Sequence, residues 1–347
     1  MERMRRTAVL ILMLAVAATP PAATSAPEAK HYHVAAHWTV GGEGGWDCLT
    51  ADPVARRLYV THSNGVDVLD LDKGTSLGRV APAPGAHAVA LVPELSRGFA
   101  TCGRDSSVIV FDLKTLATLA RVPLPGRNPD AILFEPTRHR VFAFNAGSGS
   151  ASVIDAARGT LDTTLDLGGR PEFAVADGQG RVYVNLEDRS ELLAIDAATL
   201  AILRRWPLAP GEGPSGIALD VAHHRLYSAC GNRTMVVSDA DSGKVIGSVP
   251  IGEGVDGVVY DATRGAAITT NGEGTITVVR ANGHGGFEAA ETDSTRRGAR
   301  TAALDPKSGR VFTVTAGFGP PPEPTAERPH PRPSILPGTF EVLVLEP

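Results

Sequence analysis

The sequence has few of the residue types that signal a disulfide framework or a soft-metal centre. Its 347 residues include three cysteines, four methionines and three tryptophans. Three cysteines cannot all pair within one chain, and they are too few to hold a domain of this size together. The fold must therefore be stabilised by the burial of apolar strand faces.

Motifs with an established catalytic mechanism are also missing. The sequence contains no Gly-x-Ser-x-Gly elbow, no Walker-type phosphate loop, no Cys-x-x-Cys-His haem site and no His-Glu-x-x-His pair. The sequence therefore predicts no catalytic residue and no resident metal.

A long apolar run of the kind that spans a membrane is absent as well. Arg3, Arg5 and Arg6 precede the short apolar run Ala8–Ala17, an arrangement typical of an export signal. We predict a signal peptide over residues 1–26, cleaved somewhere between 17 and 26, and a periplasmic or secreted mature protein without a membrane span. An uncleaved N-terminal anchor is the alternative.

A strong excess of positive charge, which nucleic-acid binding favours, is absent too. Removal of residues 1–26 takes away three arginines and one glutamate, so the formal charge changes from −5 to −7. A domain with this charge has no global attraction for nucleic acid or an anionic membrane surface. We therefore expect neither as a partner.

What the sequence does contain is a repeat of about 40 residues. It is clearest over residues 214–256, where four short runs of apolar and β-branched residues are bounded by Gly, Pro, Asp or Asn. Four strands in a unit of this length are typical of a β-propeller blade. The aromatic position of the second strand recurs at separations of 40, 43, 41, 44, 40 and 45 residues: Tyr59, Phe99, Phe142, Tyr183, Tyr227, Ala267 (the degenerate copy) and Phe312.

Two further features of the repeat have structural interpretations. An arginine stands two residues before each aromatic, and only Gly265 interrupts this series. We expect the aromatics to pack between neighbouring blades. An aspartate ends the third strand of most units, as Asp239 does, and we expect it to bond the backbone of its own turn.

The ends of the chain predict how the ring closes. The last unit has only three strands, and the missing fourth is the N-terminal segment Val34–Val40. Residues 27–347 should thus form one seven-bladed β-propeller, all-β, closed by this N-terminal strand in a 3+1 blade. Residues 319–337 carry eight prolines and must form a loop, either a surface excursion or a lid.

The repeat resembles the YVTN-repeat, YncE-like family of exported bacterial seven-bladed propellers, which are WD40-like in architecture. The resemblance is carried by a Tyr-Val-Thr second strand (59–61), a Ser-Val-Ile-Asp third strand (152–155) and a Pro-x-Gly-Ile-Ala opening (214–218). It covers about residues 31–347. It implies the fold and export; for activity it implies little, since some relatives bind nucleic acid and others are attached to redox enzymes.

The position of the first strands predicts a functional site. In a propeller these strands line the central channel, and a residue five places before the end of each should lie at one channel mouth. This register selects four carboxylates, a histidine, a serine and an arginine: Asp47, His87, Asp130, Glu172, Ser215, Asp256 and Arg300. Such a ring can hold a divalent cation or another cationic group, whereas the alternative is an ordinary polar channel lining. A one-residue slip would turn each side chain away.

Two other groups contain residue types that bind metals. His62, His87 and Cys102 lie in neighbouring units, and His31, His33 and His37 share one face of the predicted N-terminal strand. Their spacing in the sequence does not match a known metal motif. On an outer strand such histidines commonly just blunt the edge.

Taken together, these features predict an exported, monomeric, non-catalytic binding or scaffold module. Its partner would be a small ligand or a periplasmic protein bound at the channel mouth, and no cofactor is required, although a divalent cation could bind. Two enzyme hypotheses stay open: a lactonase-like hydrolase that uses a metal or carboxylates, and a propeller subunit of a quinone-linked dehydrogenase. Nucleic-acid binding is the third alternative.

Overall fold

The computed structural model describes residues 31–325, 331 and 333–347. The predicted signal peptide lies outside these residues, as do 326–330 and 332 of the Pro-rich segment. The described chain forms seven antiparallel four-stranded sheets, and this confirms the prediction of an all-β, seven-bladed propeller. No helix in these ranges has the length and apolar character needed to cross a bilayer.

The first six blades are meanders of four consecutive strands. Blade one contains β2 (Trp46–Asp52), β3 (Arg57–His62), β4 (Gly65–Asp70) and β5 (Ser76–Val80); blade two contains β6 (Ala86–Val92), β7 (Arg97–Cys102), β8 (Ser107–Asp112) and β9 (Thr118–Pro123); blade three contains β10 (Pro129–Glu135), β11 (Arg140–Asn145), β12 (Ser150–Asp155) and β13 (Thr160–Asp166). Blade four contains β14 (Pro171–Ala176), β15 (Arg181–Leu186), β16 (Glu191–Asp196) and β17 (Ile202–Pro207); blade five contains β18 (Pro214–Asp220), β19 (Arg225–Cys230), β20 (Thr234–Asp239) and β21 (Val245–Pro250); blade six contains β22 (Val255–Asp261), β23 (Ala266–Asn271), β24 (Thr275–Ala281) and β25 (Phe287–Ser294).

Blade seven joins the two ends of the described chain. It contains β26 (Ala303–Asp305), β27 (Arg310–Thr315), β28 (Glu341–Glu346) and the N-terminal strand β1 (His33–Thr39). Strand β1 pairs antiparallel with β28, from His33 opposite Glu346 to Thr39 opposite Glu341. Because the outer strand of this blade comes from the other end of the chain, the ring cannot open there without breaking a sheet.

The apolar core consists of clusters that lie between neighbouring blades, one at each junction. The anchor aromatics of the second strands are almost fully buried in these clusters, as the repeat predicts. Tyr59, for example, packs against Phe111 of the next blade with ring centroids 6.0 Å apart. Each blade therefore buries both faces against its neighbours, which favours strands rich in Val, Ile and aromatic residues.

Blade six corrects one prediction from the sequence. The anchor position is occupied by Ile268 and not by Ala267, because Ile268 pairs with Val259 and Val278 as Tyr59 pairs with the equivalent residues of blade one. The smaller side chain leaves space that Tyr32 fills. Tyr32 is buried beside Ile268, and its hydroxyl donates to the carbonyl of Gly309 at 2.9 Å.

The arginines of the repeat have a role that spacing alone did not predict. Three of them donate to backbone carbonyls in the next blade, just after its third strand: Arg57 to Leu113, Arg97 to Ala156 and Arg140 to Ala197. The aspartates at the third-strand ends bond their own turns, as predicted; Asp239 accepts from the Ser242 amide at 2.8 Å. The repeat therefore encodes both the blade and its junction.

A second set of carboxylates ends the first strands on the face opposite the predicted mouth. They are buried and accept hydrogen bonds from the following turn. Glu135, for example, accepts from the amides of Thr137 and Arg138 at 3.0 and 2.9 Å. Asp305 accepts from the Ser308 hydroxyl at 2.7 Å and from Arg56 of blade one at 2.9 Å. We call these residues the structural acids: Asp52, Glu135, Asp220, Asp261 and Asp305.

Candidate functional site

A break in strand pairing positions the predicted ring residues. In blades one to six the register between first and second strands shifts at the mouth, for example between Pro129 and Ile132 in blade three. Asp130 lies inside this bulge, and Asp47, His87, Glu172, Ser215 and Asp256 lie inside the equivalent ones. A β-bulge frees its residues from ladder pairing and re-aims their side chains. The mouth is thus built from six such bulges and from Arg300, which precedes β26.

Polar side chains of neighbouring blades hold the backbone of these bulges. The Thr61 hydroxyl donates to the His87 carbonyl at 3.0 Å, and Thr101 donates to that of Asp130 at 2.6 Å. In the same way Thr301 donates to the Asp47 carbonyl at 2.7 Å. These partly buried bonds join His87, Asp130 and Asp47 to an adjacent blade, so this part of the ring is held in place before any ligand arrives.

His87 lies between two carboxylates. Its Nδ1 atom is 2.6 Å from Oδ2 of Asp47 and 3.4 Å from Oδ1 of Asp130. Burial lowers the pKa of His87, but the hydrogen bond that its ring donates to Asp47 and the charge of Asp130 outweigh this and raise the pKa overall. Donor atoms of the three residues lie within 4.8 Å of one another, a spacing that could hold a metal ion in place of the shared proton.

Glu172 has the most strongly shifted carboxyl group at the mouth. Burial and the neighbouring charges of Asp130 and Glu187 raise its pKa to about 8. Arg170 lies 3.2 Å from Glu172 and 2.9 Å from Glu187. This half-exposed arginine is shared between two acids, so it offsets only part of the increase. Glu172 is therefore largely protonated at neutral pH.

Asp256, Ser215 and Arg300 form a third group. The Ser215 hydroxyl donates to Oδ1 of Asp256 at 2.7 Å, and Nε of Arg300 lies 3.0 Å from Oδ2. Burial raises the pKa of Asp256, and Arg300 counteracts this only in part. Ser215 has no histidine among its partners in the described chain, so a serine nucleophile is not supported.

The seven predicted residues surround one mouth but face two cavities. A cavity of about 320 Å³ is lined by six of them, together with Arg170, Phe173 and Glu187. His87 and Asp47 line a neighbouring cavity of about 330 Å³. We call the first cavity the acidic mouth, because it is lined by Asp47, Asp130, Glu172, Glu187 and Asp256. That these residues bind a ligand stays a prediction.

Neither of the other two predicted ligand sets comes together in the described chain, but His31 has a ligand atom within 4.8 Å of ligand atoms of Glu291 and Asp293. Cys102 is buried in the core between blades one and two, and it forms no ligand group with His62 and His87 in the part of the chain that the structure describes. The N-terminal histidines separate: His31 lies near Glu291 and Asp293, whereas His37 bonds Glu341 at 3.1 Å. Glu291 is already paired with Arg280 at 2.7 Å.

Reasoning from register missed Arg170. It stands two residues before Glu172 in the connection between blades, and a count along the first strands does not reach this position. The sequence does contain a feature that could have revealed it. A charged residue stands directly before the strand that begins at the mouth, in the run Gly168-Gly169-Arg170-Pro171. Glu187, which directly follows β15, also lines the cavity.

Chemically, the acidic mouth combines hydrogen-bond acceptors, carboxyl groups with raised pKa values and few compensating cations. Carboxyl groups whose pKa is raised by burial and by like charges mark sites where a cation would be stabilised. The same groups can transfer protons, so the geometry alone also permits general acid or base chemistry.

Comparisons with known proteins were consistent with this fold. No protein-family model matches the chain. A protein of Salmonella typhimurium named "Uncharacterized protein YncE" is 27% identical over 149 residues, which is 41% of this chain and 42% of that protein. The protein of the same name from Salmonella typhi is 26% identical over the same shares. "Antigen Lp49" of Leptospira interrogans is 35% identical over 104 residues, 28% of this chain and 23% of that protein.

These matches span less than half the length of each relative, and they support a distant similarity to YncE-like propellers. Among solved structures, a chain of the crystal structure of the mitotic checkpoint complex has a TM-score of 0.71 at 12% identity, with 99% of both chains covered. At this identity the likeness concerns the fold alone. Fold and relatives together are consistent with a binding or scaffold module.

Proposed function

We propose that this YncE-like β-propeller is a binding module whose acidic mouth takes a small ligand with a positively charged group. The observation that carries the proposal is the convergence of Asp47, Asp130, Glu172, Glu187 and Asp256 on one cavity, opposed by only Arg170 and Arg300. A rigid ring of this kind loses little conformational entropy when a ligand binds.

The electrostatics explain the preference for a cation. Burial and the charges of Asp47 and Asp256 raise the pKa of Asp130, although His87 lowers it. Bringing a positive charge next to Asp130 and Glu172 would stabilise both carboxylates and release protons to solvent. Binding should therefore strengthen as the pH rises through the range in which these groups lose their protons.

Isothermal titration calorimetry of the processed protein tests this proposal with two probes, Mn²⁺ and protonated 1,4-diaminobutane. We expect at least one of them to bind saturably with one site per chain. Asp130→Asn should weaken that binding at least about tenfold, because a charged partner of the cation is lost. Asp162→Asn is the matched control, because Asp162 is exposed and pairs only with Arg158.

Unchanged affinity in Asp130→Asn, or no saturable binding of either probe, would overturn the proposal. Two buffers with different ionisation enthalpies would also show whether protons are released on binding, as the raised pKa values require.

We also propose that the protein is exported, on the basis of the basic and apolar N-terminal segment (1–26). Expression of the full-length chain with purification from a periplasmic fraction tests this. The intact mass should correspond to a chain that begins between residues 18 and 27. Recovery of the unprocessed mass from the cytoplasm alone would contradict export.

A metal-dependent hydrolase is the second candidate, favoured by the close approach of donor atoms from Asp47, His87 and Asp130. A metal held there could activate a bound water. The test is hydrolysis of a simple lactone with and without added Mn²⁺. Metal-dependent turnover that is lost in His87→Asn supports this candidate, and equal rates in both proteins exclude it.

A further inference from the structure

A second cavity, next to the acidic mouth, has the opposite electrostatic character. It measures about 390 Å³ and is lined by Trp46, Arg297, Arg300, Phe318, Pro333 and Ile335, with glycines completing the wall. Among the residues that the structure describes, no carboxylate lines it. We call it the arginine pocket; of its described lining residues, Arg300 and Gly254 also line the acidic mouth.

The two arginines of this pocket are available to a ligand. Arg300 uses Nε to pair with Asp256, which leaves its terminal nitrogens for another acceptor. Arg297 is exposed, and no carboxylate of the described chain lies within ion-pair distance of it. Its neighbour Arg296, in contrast, is paired with Glu341. The described part of the chain therefore does not compensate the positive charge of Arg297.

The remaining wall is aromatic and rigidly held. Trp46 stacks on the buried Phe340 with ring centroids 5.3 Å apart and lies 6.0 Å from Phe318. Phe318 pairs through its backbone with Ile335, and the Arg297 guanidinium lies 5.9 Å from the Phe318 ring. A Cβ at Gly298 would lie 2.7 Å from Cζ of Phe318. Glycine at this position therefore lets the ring form the pocket wall.

We propose that the arginine pocket binds a carboxylate attached to a planar apolar body. The guanidinium fork matches a carboxylate in two parallel hydrogen bonds, and the indole and phenyl rings offer a surface on which an apolar ring can pack. This binding goes beyond the cation site proposed above. It does not depend on that site, because the charged groups of the acidic mouth other than Arg300 lie outside the pocket.

The test compares 3-phenylpropanoate with the uncharged 3-phenylpropan-1-ol by calorimetry on the processed protein. We expect the carboxylate to bind saturably and at least about tenfold more tightly than the alcohol. Arg297→Met, which keeps an unbranched though shorter side chain and removes its charge, should weaken binding of the carboxylate at least about tenfold. Arg104→Met is the matched control, because Arg104 is an exposed arginine that lines the neighbouring cavity.

Two further variants separate the parts of the proposal. Phe318→Leu should weaken 3-phenylpropanoate several-fold while leaving acetate unchanged, because acetate lacks the ring that packs on Phe318. Asp130→Asn should leave 3-phenylpropanoate binding intact, so failure of the cation site and failure of this pocket are distinguishable. Circular dichroism and thermal unfolding confirm that each variant is folded.

The carboxylate could belong to a small acid or to the C-terminus of a peptide. The tripeptide Ala-Ala-Phe, compared with its C-terminal amide, distinguishes these sources: tighter binding than 3-phenylpropanoate assigns a peptide, and weaker binding assigns a small acid. Equal affinity for the acid and the alcohol, no loss in Arg297→Met, or equally tight binding of inorganic phosphate would overturn the proposal.

Discussion

Two of the innermost strands carry an acidic residue near each end, and the two acids of one strand have different hydrogen-bond partners. Strand β10 has Asp130 at the mouth and Glu135 at the other end, and β22 has Asp256 and Asp261 in the same places. Glu135 accepts hydrogen bonds from two backbone amides and one hydroxyl of its own turn. Asp130 sits instead in a bulge beside His87 and Asp47. Glu135 is satisfied by hydrogen bonds from its own turn, whereas Asp130 and Asp256 lie beside charged side chains of neighbouring blades.

The pKa values follow this difference. Burial raises the pKa of Asp305, but hydrogen bonds from Ser308 and Arg56 outweigh this effect and lower the pKa overall. Burial likewise raises the pKa of Asp220, and hydrogen bonds from Tyr260 and His223 lower it overall. At the mouth, burial raises the pKa of Glu172 and of Asp256, and fewer donors compensate. Buried carboxylates therefore stay ionised where hydrogen bonds from nearby donors outweigh the effect of burial, as at Asp305 and Asp220.

The largest effect should come from removing a structural acid. Asp305→Ala should lower the free energy of unfolding by about 3 kcal/mol, because Arg56 and the Lys307 amide lose a buried acceptor and blades one and seven lose a joint. Urea denaturation measures this. Ser308→Ala, which removes one donor, should lower it by about 1 kcal/mol; an equal effect of both variants would contradict the role of Asp305 between blades.

The next largest effect should be a pH-dependent change in the free energy of unfolding, caused by Glu172 at the mouth. The pKa of Glu172 is about 8 in the folded protein, well above the value of about 4.3 in an unfolded chain. Between these values the folded state binds more protons, so ionisation of Glu172 lowers stability as the pH rises through this window. Glu172→Gln should remove this contribution and be more stable than the wild type at pH 8.5 by at least about 1 kcal/mol.

Thermal unfolding from pH 4 to 9 measures the Glu172 contribution. Glu212→Gln is the control, because Glu212 is exposed and should leave the pH profile unchanged. Identical pH profiles for Glu172→Gln and the wild type would show that Glu172 is not held protonated.

A smaller effect is expected at the junction of blades six and seven. Tyr32→Phe keeps the ring that packs beside Ile268 and removes the bond to the Gly309 carbonyl on the face of the structural acids. We expect a loss of about 1 kcal/mol, typical of one buried hydrogen bond. Tyr32→Ala should lose clearly more than Tyr32→Phe, because it also leaves a cavity. Similar values for both would mean that the ring contributes nothing.

The smallest effect should be that of Asp130→Asn on stability. Asparagine keeps the shape and removes a charge that burial disfavours, so the free energy of unfolding at pH 7 should change by less than about 0.5 kcal/mol or increase. This variant and Asp305→Ala, measured under the same conditions, test the comparison directly. A large loss in Asp130→Asn would show that the mouth acids stabilise the fold as the structural acids do.

Much of the fold could be predicted because the repeat is local. Each strand is a short run of β-branched residues between turn formers, and the aromatic spacing holds within a few residues around the ring. The one error in this series, at Ala267, arose because an isoleucine replaces the aromatic. Without an aromatic residue, the sequence does not show which position of blade six is the anchor. The partner that fills the space, Tyr32, lies more than 200 residues away in the sequence, so no local pattern could reveal it.

The candidate site was predictable to the extent that it depends on register. Counting back from the strand ends located Asp130, Glu172 and Asp256, because every first strand begins at the same mouth. The bulges that aim these side chains, and the Arg170 bridge, depend on contacts between blades. The separation of the acidic mouth from the arginine pocket likewise depends on where Phe318 and Arg297 meet in space.

The sequence by itself determined the propeller fold, the number of blades, the closing strand and most of the residues at the mouth, because all of these follow from a periodic pattern of burial and turns. Only the tertiary structure decided which acids receive hydrogen bonds that keep them ionised and which have a raised pKa. It also decided which arginines form hydrogen bonds between blades and which face a cavity. These outcomes depend on distances between blades, and electrostatic free energies change steeply with such distances in a buried environment.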